Sequence, residues 1–373
     1  MDIAFITGAR SEYGIMKQVI KEISSDKDFY VTIVATGMHF QHKYGDTIEE
    51  IRKDDLGEIL YAPCYVEEER EKEKDFVALI ETLYKVFSNY HFDAIYIIGD
   101  RLEAYAAALA AHFVKLPVIH FAGGQITEGA VDNIYRYNIS NLSYIHLITN
   151  IFAKQRLEKI PIIDKSKIYL VGSSAVDSIK EYLQVPEDIS TYIEGLRRGN
   201  YVLMTFHSET KGSLSNNSIP EIMDACISEL LSSGQRVLIT YPNNDDGSED
   251  IIKVINKWKS IPGIYVRQNL GARLYYVAVD NCSFVMGNSS SGIIEVPYFQ
   301  KYTLNIGSRQ TGRNAPKSVI SVSADIFQIT PVLKELIQNP NCNLPQENIY
   351  GIGNSILKIH SIIRDNFIND VRI

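Results

Sequence analysis

Short apolar runs that stop at glycine or small polar residues recur along this chain, each followed by a stretch with apolar residues at helical spacing. The first, Asp2–Thr7, reads D-I-A-F-I-T and empties into Gly8-Ala9-Arg10-Ser11-Glu12-Tyr13-Gly14. Residues 15–23 then carry the helical period. Such runs predict strands buried on both faces, and their alternation with helices predicts a doubly wound parallel sheet. The same signature predicts strands at 30–36, 94–98, 118–121, 145–149 and 168–171, with helices at 47–53, 76–90, 102–113 and 133–141 and a further one starting at 153. A polar, helix-compatible connection covers 185–199. A second series follows, with strands at 201–206, 236–241, 264–267, 283–286, 302–306 and 319–322. Its helices are expected at 220–232, 249–260, 272–279 and 326–338, with a long terminal helix within 349–367. At 373 residues the chain is long for one core. The expected architecture is α/β: two Rossmann-like domains, 1–172 and 173–345, with a cleft between them. The tail 346–373 is expected to pack back on the first domain.

Doubly wound sheets bind ligands at the carboxyl ends of their strands. Polar clusters fall there repeatedly. Arg10 lies in the first turn, where it can reach a phosphate. Asp100 and Arg101 follow the strand at 94–98. The loop after 118–121 carries Gln125, Glu128 and Asp132, with Arg136 on the next helix. His207 ends the strand at 201–206, and Arg309 and Arg313 lie in a glycine loop after 302–306. The densest cluster is Val285–Pro297, V-M-G-N-S-S-S-G-I-I-E-V-P. A strand opening into Ser289-Ser290-Ser291-Gly292 and a helix offers unbonded N–H groups, the positive end of the helix dipole and hydroxyl donors, which suit an anion. An ordinary N-cap would use one serine, not three between glycines. Glu295, about one turn into that helix, can accept bonds from sugar hydroxyls.

Composition narrows the function. A net charge of −8 argues against nucleic acid as partner, so any bound anion is held by local arginines and backbone. Four widely spaced cysteines without a CxxC pair read as reduced thiols, giving neither a disulfide framework nor a metal site. Met1-Asp2-Ile3 leads straight into a strand, and no apolar run reaches the roughly 18 residues of a membrane span. A cytoplasmic protein without membrane contact is expected.

Taken together, these motifs resemble the hydrolysing UDP-N-acetylglucosamine 2-epimerases of sialic- and legionaminic-acid pathways. The matching pieces are Gly8–Gly14, Thr36-Gly37-Met38-His39, Gly99-Asp100-Arg101, Asp132 with Arg136, and Phe206-His207-Ser208-Glu209-Thr210. Tyr241-Pro242-Asn243-Asn244-Asp245, Gly287–Glu295 and Gly307-Ser308-Arg309-Gln310-x-Gly312-Arg313 complete the set, in family order over nearly the whole chain. The resemblance implies a glycosyltransferase-B-type fold and a UDP-sugar substrate, with no metal or redox cofactor, and a homodimer or homotetramer. It implies loss of UDP across C1–C2 to a glycal, then hydration to the free 2-epimer. Asp100, Asp132 and His207 fall on the family's catalytic positions, and Glu128 is a further candidate acid. Arg10, Arg101, Gln125, Arg136, Asn243, Asn244, Ser289, Ser290, Ser291, Gly292, Glu295, Arg309 and Arg313 are the expected binding residues. Three departures stand out. Ala122 and Gln125 occupy positions where the family loop carries acids, Tyr137 replaces a histidine and Ser208 a proline. An amide cannot shuttle a proton at neutral pH. Altered chemistry on the same fold, or nucleotide-sugar binding with little turnover, are therefore the competing readings.

Overall fold

The computed structural model describes residues 1–40, 47–64, 72–127, 132–209, 218–242 and 247–369. They form two compact units. One comprises Met1–Ile126, Ala130–Asp177 and Tyr350–Ile373, the other Ser178–Ile349 with 127–129.

The first unit holds β1 (Asp2–Thr7), α1 (Arg10–Ser24), β2 (Tyr30–Thr36), α2 (Thr47–Asp54), β3 (Glu58–Ala62), α3 (Lys72–Asn89) and β4 (Ala94–Ile98). It continues with α4 (Leu102–Phe113), β5 (Val118–Phe121), α5 (Asp132–Leu142), β6 (Ile145–Ile148), α6 (Ile151–Leu157) and β7 (Ile168–Leu170), and the division between the units falls within the next helix, α7 (Ser174–Tyr182). Its strands pair in parallel in the order β3-β2-β1-β4-β5-β6-β7. The runs of β1, β2, β4, β5 and β6 are buried on both faces, as a helix-covered parallel sheet requires. Ala104, Ala106–Ala108, Ala110 and Ala111 of α4 are all buried. Their short side chains let the helix lie close to its neighbours at interior packing density.

The second unit holds β8 (Tyr201–Thr205), α8 (Ile219–Ser232), β9 (Arg236–Thr240), α9 (Ser248–Trp258), β10 (Ile264–Arg267), α10 (Gly271–Asn281) and β11 (Val285–Gly287). After it come α11 (Ser291–Ile294), β12 (Thr303–Ile306), β13 (Val319–Val322) and α12 (Ile326–Gln338). The order β10-β9-β8-β11-β12-β13 is again fully parallel. Ser218 and Glu221 form a capping box at the start of α8, with Pro220 in its first turn. The last helix, α13 (Ser355–Arg364), packs on α1 of the first unit. His360 and Arg364 meet Asp26 there, and Arg364 also meets Asp28.

Four local expectations change. β3 was not anticipated: it is an edge strand whose E-I-L-Y-A run is mostly part-exposed. α7 was also missed, and the 185–199 connection holds only a 3-10 turn at Ile189–Thr191. The terminal helix starts at Ser355 rather than near 349. The helix after the serine turn is four residues long and gives way to a 3-10 turn over Val296–Phe299, where Pro297 cannot continue it.

Candidate active site

In the first sheet the strand order reverses between β1 and β4. The Gly8–Arg10 and Gly99-Asp100-Arg101 turns leave the sheet at this switch point, where α/β folds bind ligands. Asp100 accepts a hydrogen bond from Arg136 Nη2 in an ion pair. Arg136, buried on α5, donates through Nη1 to Gln125 O at 2.8 Å and Asn133 Oδ1 at 3.1 Å. One guanidinium thus ties together the β4 terminus, the loop after β5 and α5. Gln125 is buried, and its Nε2 donates to Thr149 Oγ1 at 2.9 Å, so its amide is fixed. Arg101 Nε lies 3.3 Å from Glu103 Oε2 and 4.0 Å from Glu12 Oε1, between two buried carboxyls. Burial raises the Glu12 carboxyl above the usual carboxylate range; Arg101 opposes the rise and Glu103 adds to it. His39 meets Thr7 Oγ1 and Thr47 Oγ1, both at 2.9 Å, and burial pushes its imidazole down to about 4. Arg10 opens α1, is exposed, and donates from Nε to Glu50 Oε2 at 2.8 Å. A phosphate there would compete with Glu50. Asp132 is the exposed first residue of α5.

The second sheet reverses between β8 and β11. Here the Phe206–Glu209 and Gly287–Ser291 segments leave together, locked by one side chain. Asn288 is fully buried; its Oδ1 accepts from His207 N at 2.7 Å and its Nδ2 donates to His207 O at 2.9 Å. Arg309 Nη1 and Gln310 Nε2 donate to Asn288 O at 3.2 and 2.9 Å. Glu209 in turn accepts from Ser308 N, Ser308 Oγ and Arg309 N at 3.0, 2.9 and 3.1 Å, which holds the arginine loop. Arg313 follows in that loop, part-buried, its N–H bonded to Gln310 O. Only glycine fits at 287: φ is +138°, and a Cβ would stand 1.8 Å from Thr205 O. Burial, with Arg309 nearby, pushes His207 down to about 3, so the ring is neutral and can donate or accept a hydrogen bond.

Among the described residues nothing accepts from the N–H groups of Ser289, Ser290 or Ser291. A one-turn helix has little macrodipole, so any anion placed here would meet these N–H groups and the hydroxyls rather than a helix terminus. Gly292 N is already bonded to Ser289 O. Tyr275, which sequence reasoning missed, bonds Ser291 Oγ through its hydroxyl at 2.6 Å, and Ser289 Oγ lies 3.2 Å from Ser291 Oγ. Glu295 is part-buried, and its carboxylate makes no hydrogen bond or ion pair among the described residues. Burial pushes it up to about 7. Glu128, Asn243 and Asn244 lie outside the described residues. Among the described residues no group of three or more His, Cys, Asp or Glu could hold a metal, and no helix is long and apolar enough to cross a membrane. Asn288 and Glu209 were legible as motif members but not as the clamps they are, because their partners lie up to 100 residues away.

A family model described as UDP-N-acetylglucosamine 2-epimerase matches residues 21–364. The chain belongs to the UDP-N-acetylglucosamine 2-epimerase family. The resemblance drawn from the motifs therefore holds. Similar proteins within this family include the hydrolysing UDP-N,N'-diacetylbacillosamine 2-epimerase of Legionella pneumophila, 29% identical over 97% of this chain and 95% of that one. The UDP-N-acetylglucosamine 2-epimerase of Neisseria meningitidis is 30% identical over 89% of this chain and 86% of its own. A crystal structure of UDP-GlcNAc 2-epimerase from Neisseria meningitidis bound to UDP-GlcNAc superposes with a TM-score of 0.83 at 19% identity, covering 98% of this chain and 100% of that chain. The two-domain, glycosyltransferase-B-type α/β fold of the epimerases is thus the fold of this chain.

Proposed function

We propose that this epimerase-family protein is a hydrolysing 2-epimerase of a UDP-N-acetylhexosamine, either UDP-N-acetylglucosamine or a UDP-2,4-diacetamido-trideoxyglucose. A base removes the C2 proton while the C1–O bond to UDP breaks, leaving a C1=C2 glycal. Water then adds its oxygen to C1, and a proton returns to C2 from the opposite face, releasing UDP and the free 2-epimer. C2–H is weakly acidic, so stabilising the departing diphosphate carries much of the barrier.

The observation that carries this reading is the row of three N–H groups at Ser289–Ser291 that find no acceptor among the described residues, with hydroxyls beside them, at a topological switch point. It suits a diphosphate, with Arg309 and Arg313 in the adjoining loop and Glu295 free to accept ribose hydroxyls. The hydrolytic outcome draws its support from the similarity over nearly the full length to the Legionella enzyme named as hydrolysing. Proton transfer falls to Asp100, Asp132, Glu128 and His207, since Gln125 is an amide. In deuterium oxide the free 2-epimer should carry deuterium at C2; full retention of protium there would sink the elimination route.

A second reading, nucleotide-sugar binding with little turnover, is favoured by that same Gln125. Tight UDP binding without turnover, and turnover gained by Gln125→Glu, would select it.

A further inference from the structure

His120 stands in the middle of the apolar strand β5 and is fully buried. Both its ring nitrogens have partners. Nε2 lies 2.8 Å from Gly99 O, and Nδ1 lies 3.2 Å from Ser140 Oγ. A carbonyl only accepts, so Nε2 carries the hydrogen and Nδ1 is left to accept from the serine hydroxyl. Burial holds the imidazole down to about 3, which keeps this neutral form. Its cross-strand neighbour His146 is buried too, yet Nδ1 of that ring has no hydrogen-bond partner among the described residues. Burial in this sheet does not by itself produce a doubly bonded ring.

The partners of His120 lead to the proposed site. Gly99 precedes Asp100. Ser140 sits one turn beyond Arg136 on α5; its Oγ is also 3.0 Å from Arg136 O, so its one hydroxyl hydrogen is shared between that carbonyl and His120 Nδ1. Arg136 pairs with Asp100. The contacts close a loop: Gly99, His120, Ser140, the α5 backbone, Arg136, Asp100. Gly123 leaves room for it, because a Cβ there would stand 2.9 Å from His120 Cε1, His120 Nδ1 and Ser140 Oγ.

We propose that His120 is a positioning residue: a neutral, Nε2-protonated imidazole that fixes the Gly99-Asp100 turn and, through Ser140, the helix bearing Arg136, so that the Asp100 carboxylate is held in one orientation toward the sugar. An apolar residue at this point would fill the strand core equally well but would leave Gly99 O without its donor. The inference rests on the reading that Asp100 takes part in the sugar chemistry.

The test uses the full-length protein with His120→Leu, His120→Gln and Ser140→Ala. His120→Leu is expected to lower kcat about 10- to 100-fold with KM and UDP affinity changed less than about threefold, because misorientation acts on the chemical step. His120→Gln keeps a donor toward Gly99 O and should recover most of the loss; Ser140→Ala should fall between. Full turnover in His120→Leu, or equal losses in kcat and UDP affinity, would overturn the proposal. A crystal structure of each variant that folds reads positioning without turnover. A displaced Gly99-Asp100 turn in His120→Leu or Ser140→Ala is expected, and an unmoved turn overturns the inference. A wild-type protein that consumes no UDP-sugar would instead refute the proposed function alone.

Discussion

Replacing Asn288 by alanine removes the clamp between the ends of β8 and β11. The side chain makes two bonds to one peptide segment, 2.7 Å from His207 N and 2.9 Å to His207 O, in a fully buried position. Truncation orphans a buried N–H and a buried C=O at about 1–3 kcal/mol each, or about 2–6 kcal/mol together, against a small loss of packing. For a unit of this size each kcal/mol lowers the midpoint by about 2–4 °C, so a drop of about 5–20 °C is expected. Scanning calorimetry measures it directly. Ser290→Ala is the matched control: its hydroxyl makes no hydrogen bond within the described residues, so stability should hold while UDP affinity falls. By titration calorimetry that fall should be about ten- to a hundredfold, the worth of one hydrogen bond to a charged group. An Asn288→Ala midpoint within about 2 °C of wild type would refute the clamp, since no arrangement that orphans both groups is that mild. Unchanged UDP affinity in Ser290→Ala would refute the phosphate cradle.

Glu295 has its pKa raised from 4.5 to about 7 by burial. Its contribution to stability is therefore fully present below about 4.5 and lost as pH rises through about 7. Glu295→Gln should melt above wild type near pH 8 and close to it near pH 5, and a gap that does not change with pH would contradict this. Gly287→Ala drives a Cβ into Thr205 O and should cost more than about 4 kcal/mol, visible as loss of soluble, cooperatively folding protein. Asp100→Asn removes the ion pair that Asp100 makes with the buried Arg136. It should cost about 2–3 kcal/mol, below the roughly 3–5 kcal/mol for breaking a fully buried pair because Asp100 is partly exposed, and it should abolish turnover; retained turnover would remove Asp100 from the mechanism.

The strands were legible because runs buried on both faces need only apolar residues and a turn signal, and the six strands of the second unit were each anticipated. β3 escaped because an edge strand need not be apolar on both faces. The serine turn was expected to open a helix with Glu295 about one turn in, and the helix there is four residues long because Pro297 ends the helical path. Arg10 looked poised for phosphate, and nothing near it in the chain announces Glu50, forty residues on. His120 lies within an apolar strand run, and only its distance to Gly99 O gives it a role. Residue chemistry and turn position are local and readable; the partner that fixes each side chain is a property of the fold.

The most direct test of the account is the identity of what leaves the enzyme. Incubated with UDP-N-acetylglucosamine and with UDP-2,4-diacetamido-trideoxyglucose, and followed by NMR, the protein should convert at least one into UDP and a free sugar inverted at C2. A product that keeps its UDP and is inverted at C2 would contradict the hydrolytic assignment, and neither UDP nor a 2-epimer from either substrate would contradict the reaction itself.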